Sequence, residues 1–144
     1  MHERFFNEFL MSGDTLRVYE GDQLIFSSNK DRLLSLLEYI DRFISRHQQA
    51  VIFDKIMGNA AALLSIKAGC QQVYSPLGSQ LAIKTLDKYS IKYYLTEIVP
   101  YIQKPGGQDM CAMEKLSLDK GPDEFYQVMG NIIDKPRTEG PGKN

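Results

Sequence analysis

The sequence predicts one α/β domain over residues 1–133, its mixed sheet built from an N-terminal hairpin and parallel βαβ strands, with a disordered tail over 134–144. Two β-rich runs close around Glu20-Gly21-Asp22, which is hairpin chemistry. From Ala50 onward, strand and helix patterns alternate so closely that right-handed βαβ crossovers are required. A chain of 144 residues also buries roughly 68–70% of its unfolded surface, enough for a core without metal or disulfides.

Phe5, Phe6, Phe9 and Leu10 recur at helical spacing over residues 2–11, and Ser12-Gly13-Asp14 ends that helix. Leu16, Val18 and Tyr19, then Leu24, Ile25 and Phe26, supply the hairpin strands. Ser28-Asn29-Lys30-Asp31 matches a capping box and opens a long helix. Its stripe is Leu33, Leu36, Leu37, Ile40, Phe43 and Ile44, and it frays near Arg46-His47-Gln48-Gln49. Ala50-Val51-Ile52-Phe53 reads as a buried strand feeding Asp54.

A helix is expected from about Asp54 to a left-handed cap at Gly69. Val73-Tyr74 forms a short strand, and Pro76-Leu77-Gly78 turns the chain into a helix from about Ser79 to Tyr89. Ile91–Leu95 is another strand. Pro100 and Lys104–Gln108 belong to the longest loop, followed by a helix from about Cys111 to Leu118. Pro122 starts a last helix that runs to about Ile133, and Pro136, Gly140, Pro141 and Gly142 mark the tail.

A net charge of −1 gives no general attraction to nucleic acid or to anionic lipid, so neither is an expected partner. Cys70 and Cys111 are too few for a disulfide framework and read as reduced thiols. The opening residues carry early acids, unlike a signal peptide, and Ala60–Leu64 is far too short to cross a bilayer. A cytoplasmic location is the expectation.

Candidate chemistry gathers at three places. Asp54-Lys55 stands at the expected mouth of a helix that continues Gly58-Asn59-Ala60-Ala61-Ala62. Asp54 is either an ordinary N-cap or an orienting acid, because free N–H groups stabilise a carboxylate there. Lys55 in a first turn opposes the macrodipole, which points to an anion-binding or basic role unless Asp54 offsets it or the side chain snorkels to water. Gly58 and the alanines allow close packing, and Asn59 is either a ligand donor or a solvated position.

Ser75-Pro76-Leu77-Gly78-Ser79 forms a second mouth, where Ser79 caps a helix and Ser75 lies beside it. The third place is Asp109-Met110-Cys111-Ala112-Met113-Glu114 behind the flexible Gly106-Gly107. Cys111 at a helix start can be reactive, and Glu114 can return to that helix N-terminus as half of a cap. Zinc spacing motifs are absent, and His2 and His47 lie near none of these places, so no metal, no cofactor and no histidine triad is expected.

Asp54-Lys55-x-x-Gly58-x-Ala60-Ala61-Ala62, Val73-Tyr74-Ser75-Pro76 and Cys111-x-Met113-Glu114-Lys115-Leu116, taken in order, resemble a small uncharacterised prokaryotic family with a cytidine-deaminase-like fold. The likeness covers about residues 14–130. It implies a three-layer α/β/α fold with a pocket in the nucleoside position. True cytidine deaminases hold zinc through motifs at two helix mouths; here Asp54-Lys55 and Pro76-Leu77-Gly78-Ser79 stand in those places without the ligands. Ala112 replaces a common proline and Asn59 a common basic residue of the family pattern. The resemblance also admits a homo-oligomer.

Binding of a small nucleotide-like molecule in a zinc-free pocket is therefore the first expectation. Lys55, Asp54, Cys111 and Glu114 are the candidate reactive set, with Asn59, Ser75, Ser79 and Asp109 as ligand contacts. A metal-free hydrolase or transferase acting on a nucleoside derivative is the alternative, and a structural oligomerisation domain ranks last.

Overall fold

Gly21 adopts a left-handed φ of 63°, as a tight hairpin turn demands, so β1 (Leu16–Glu20) folds back antiparallel on β2 (Gln23–Ser28). The computed structural model describes residues 2–43 and 49–139. Around the hairpin lie α1 (His2–Met11), α2 (Arg32–Phe43), β3 (Ala50–Asp54), α3 (Asn59–Lys67), β4 (Cys70–Ser79), α4 (Gln80–Lys88), β5 (Lys92–Val99), α5 (Ala112–Ser117) and α6 (Pro122–Glu139). They form one five-stranded sheet of order β2-β1-β3-β4-β5. β1 runs antiparallel to both neighbours, while β3, β4 and β5 are parallel.

The period-2 rule sorts the core into two faces. Leu16, Val18, Ala50, Ile52 and Val73 point to the side where Leu36, Ile40, Leu64, Leu86 and Phe125 bring in α2, α3, α4 and α6. Tyr19, Val51, Phe53 and Tyr74 point to the other side, where Phe5, Phe6 and Phe9 dock α1. That second face is an aromatic mosaic, with Phe5 stacked on Tyr19 at 4.2 Å and Phe53 on Tyr74 at 5.0 Å. The sheet thus has helices on both faces, one on the aromatic side and the rest opposite.

α3 is buried from Asn59 through Ser65 and packs against α2, α4, α5 and α6. Ala60, Ala61 and Ala62 let so many neighbours approach at once. Gly69 takes φ 83° just past the end of α3, the left-handed cap expected there.

Several boundaries differ from expectation, among them β5, which runs to Val99 where Leu95 was expected, and the start of β4 at Cys70 where Val73 was expected. α2 begins at Arg32, and Ser28 joins a hydroxyl cluster instead of capping it, accepting from Ser35 Oγ at 2.9 Å. α3 begins at Asn59, not Asp54. β4 runs straight through the expected Pro76-Leu77-Gly78 turn to Ser79. α6 continues to Glu139, past the expected stop near Ile133. Ile44, the Arg46–Gln48 fray and tail residues 140–144 lie outside the described residues. No helix among the described residues is long and apolar enough to cross a membrane.

Candidate functional site

β3 ends at Asp54, and the next four residues start no helix, because backbone carbonyls elsewhere in the chain claim the Lys55 and Met57 amides. Lys55 N donates to Thr15 O at 3.3 Å, Met57 N to Leu77 O at 2.8 Å, and Ser79 N to Met57 O at 3.1 Å. A helix starting at Asp54 would forfeit these bonds. Asp54 is therefore no N-cap: its carboxylate is buried at the strand end, where Oδ1 accepts Ile56 N at 3.4 Å.

Lys55 is likewise outside the first turn of α3, so it opposes no dipole. Its Nζ donates to the Ser12 carbonyl at 3.4 Å and sits 4.8 Å from the Phe9 ring centroid. Ser12 follows the C-terminus of α1, where a cation is favoured. Lys55 thus ties α1 to the end of β3.

Gly58, not Asp54, is the N-cap of α3, and it has no side chain to satisfy the first amides. Glu114 does so from α5. Its Oε1 accepts Asn59 N at 2.6 Å and its Oε2 accepts Ile102 N at 3.0 Å, with the side chain buried. A Cβ at Gly58 would lie 2.8 Å from both Glu114 Oε1 and Ile102 Cγ1. Glycine is thus required by the carboxylate's approach, and not by helix–sheet packing. Glu114 caps a helix as expected, but a different one from its own.

The loop before α5 closes as an irregular hairpin. Cys111 N donates to Ile102 O at 2.7 Å and Lys104 N to Asp109 O at 2.9 Å. This seats buried Cys111, the N-cap of α5, against Ile102.

The result is a cavity of about 150 Å³ whose lining includes Asp54, Lys55, Gly58, Cys111 and Glu114. It opens where β3 ends and β1 begins, the end of an α/β sheet at which ligands collect. The four residues of the candidate reactive set, from segments far apart in sequence, share this one lining. Leu33, Ile56, Ile102 and Met113 make its walls apolar, and Thr15 and Asp31 add polar groups. Beside it lies a groove of about 620 Å³ between Leu77 and the 99–107 segment, and Asp31, Ile56 and Ile102 line both spaces.

The four expected ligand contacts lie elsewhere. Asn59 turns its side chain to α5 and α4, donating to Ser117 O at 3.2 Å and Ser117 Oγ at 2.9 Å and accepting from Thr85. Ser75 is buried within β4 and donates to Leu77 O at 2.9 Å. Ser79 caps α4 through Ala82 N at 3.1 Å, as its sequence position suggested. Asp109 is exposed on the hairpin. The expected Ser75–Ser79 mouth is strand, and the cavity does not reach it.

Thr15, Asp31, Ile56 and Ile102 escaped the sequence reading, and only Asp31 carried a signal, as part of the capping-box match. A deaminase-type zinc ion does not fit: among the described residues, no three His, Cys, Asp or Glu side chains converge as a metal site.

A crystal structure of a DUF1893 family protein (TM1506) from Thermotoga maritima is similar to this chain with a TM-score of 0.74 and 24% sequence identity, over 93% of this chain and 86% of that one. That likeness shows a common fold. No curated protein matches. The family described as TM1506, domain of unknown function (DUF1893), matches residues 6–133, and the chain accordingly belongs to the DUF1893 family.

Proposed function

We propose that the protein binds a small nucleotide-like molecule, with one planar nitrogen heterocycle held in the inner cavity. The observation that carries this reading is the size and lining of that cavity. Its volume of about 150 Å³ is the size that admits a single six-membered ring, as an apolar cavity of about 150 Å³ admits benzene. The apolar walls suit the faces of such a ring, and Asp31 and Asp54 suit its N–H edge. Glu114 is committed to two backbone amides and stands as a wall. The adjoining groove offers room for the rest of the ligand.

A cytidine-deaminase-like arrangement is part of the same reading. The β3–α3 and β4–α4 units stand side by side in the parallel half of the sheet, with the N-terminus of α3 at the cavity. Without a zinc-ligand set, the reading includes no metal-dependent step. Metal-free catalysis is the second reading, favoured by Asp54 and Cys111 lining the same space.

Calorimetric titration with cytosine, uracil and their nucleosides tests the proposal. The parent protein is expected to bind at least one of them. Ala61→Leu, which fills the cavity, removes the heat, and the isosteric Asp54→Asn weakens binding without unfolding the chain. Binding that both variants retain would overturn the assignment, as would no binding by the parent. A ligand mass that changes on incubation would favour the catalytic reading.

A further inference from the structure

We propose that β5 is the contact edge of a homodimer, in which two copies pair their β5 strands antiparallel about a two-fold axis through Thr96. Among the described residues β5 ends the sheet, with β4 its single strand neighbour. Edge strands are normally blunted by charge, proline or a bulge. The opposite edge is so treated, since its ladder with β1 carries a register shift at Val18/Tyr19. β5 keeps one constant register against β4 from Lys92 to Val99, and its two charges, Lys92 and Glu97, flank the uncharged run Tyr93-Tyr94-Leu95-Thr96.

The side chains point the same way. α1 covers Tyr19, Phe53 and Tyr74 on the aromatic face and touches β5 through Phe6, whose ring meets that of Tyr94 edge-on at 5.9 Å. Tyr94 is left 53% exposed and Ile98 49% exposed on that open face. A two-fold axis at Thr96 places each Tyr94 opposite the other copy's Ile98, so the two exposed apolar residues cover one another. On the helical face Tyr93 meets Val99, and Leu95 meets Glu97. Lys92 meets Pro100, which lacks an N–H and so falls where the ladder ends.

No like charges face across this register. Centring the axis on Leu95 instead would set Lys92 against Ile98 and Tyr93 against Glu97. Centring it on Tyr94 would leave Ile98 beyond the start of the partner strand. The pairing about Thr96 is the one that satisfies the strand's own pattern.

Cysteine cross-linking of the full chain tests both the dimer and its register. Cys70 and Cys111 are buried and do not compete. Under mild oxidation Thr96→Cys is expected to form a covalent dimer, because residue 96 meets itself at the axis. Lys92→Cys is expected to stay uncross-linked. By light scattering the parent should show twice its 16.4 kDa chain mass, and Ile98→Glu should return the mass to that of one chain. Adding Tyr94→Lys to Ile98→Glu should restore the dimer through paired opposite charges. A monomeric parent would overturn the proposal, as would a dimer that survives Ile98→Glu or cross-links at residue 92 and not at 96.

Discussion

Both oxygens of Glu114 accept backbone amides, one from Asn59 and one from Ile102, and this single side chain ties α3, the 102–111 hairpin and α5 into the wall of the cavity. Glutamine at 114 would turn an NH2 toward one of the two donors and leave that amide buried without an acceptor. Glu114→Gln is therefore expected to cost about 2 kcal/mol or more of stability in urea unfolding. A loss below roughly 0.5 kcal/mol would mean that the two bonds matter little. The Cys-x-Met-Glu motif drew attention to Glu114 in the sequence, but its partner Asn59 is 55 positions away and nothing local identifies it.

Cys70 and Tyr39 give the residue scale a pH dependence. Burial pushes the Cys70 thiol from 9.0 up to about 12, and the Tyr39 hydroxyl from 10.0 up to about 12. Above pH 9 the unfolded chain releases the Cys70 proton while the folded chain keeps it, so stability falls as pH rises. The slope from each group is about 1.4 kcal/mol per pH unit between its two values. Below pH 9 neither group contributes a slope. Thermal unfolding from pH 8 to 11 should show this decline, shallower in Cys70→Ala; equal slopes in the two proteins would contradict it.

Among the elements, α1 and α3 show where pattern suffices and where it fails. Phe5, Phe6 and Phe9 placed α1 at residues 2–11, and the same aromatic stripe docks it on the sheet. Asp54-Lys55 followed by an alanine run reads locally as a helix start. The amide bonds to Thr15, just before β1, and to Leu77 in β4 that keep this segment from coiling come from parts of the chain outside any local window. The same partners explain β4: Leu77 and Gly78 continue pairing with β5 and with Met57, so a Pro-Leu-Gly sequence that signals a turn is held as strand. Because Lys55 caps the end of α1 and covers the Phe9 ring, Lys55→Ala should destabilise the fold. The expected loss is about 0.5–1.5 kcal/mol, read by denaturant unfolding. A more stable variant would reinstate the opposed-dipole reading.

For the molecule as a whole, the hairpin followed by parallel strands was legible from turn chemistry and alternation. The strand order, with β1 between β2 and β3, follows from pairings that no local pattern states. The four candidate residues stood in two sequence motifs, and the fold brings those motifs to one cavity. Its remaining lining was not legible, because Thr15, Asp31, Ile56 and Ile102 come from strand starts and loops whose positions only the assembled sheet fixes. The proposed ligand binding rests on this cavity. Amide chemical-shift mapping of the folded protein with a pyrimidine base, its nucleoside and its nucleotide tests that most directly. Saturable shifts confined to the Asp54–Ala61, Ile102 and Cys111–Glu114 amides are the expected result; shifts spread over the surface, or none with any of the three, would contradict it.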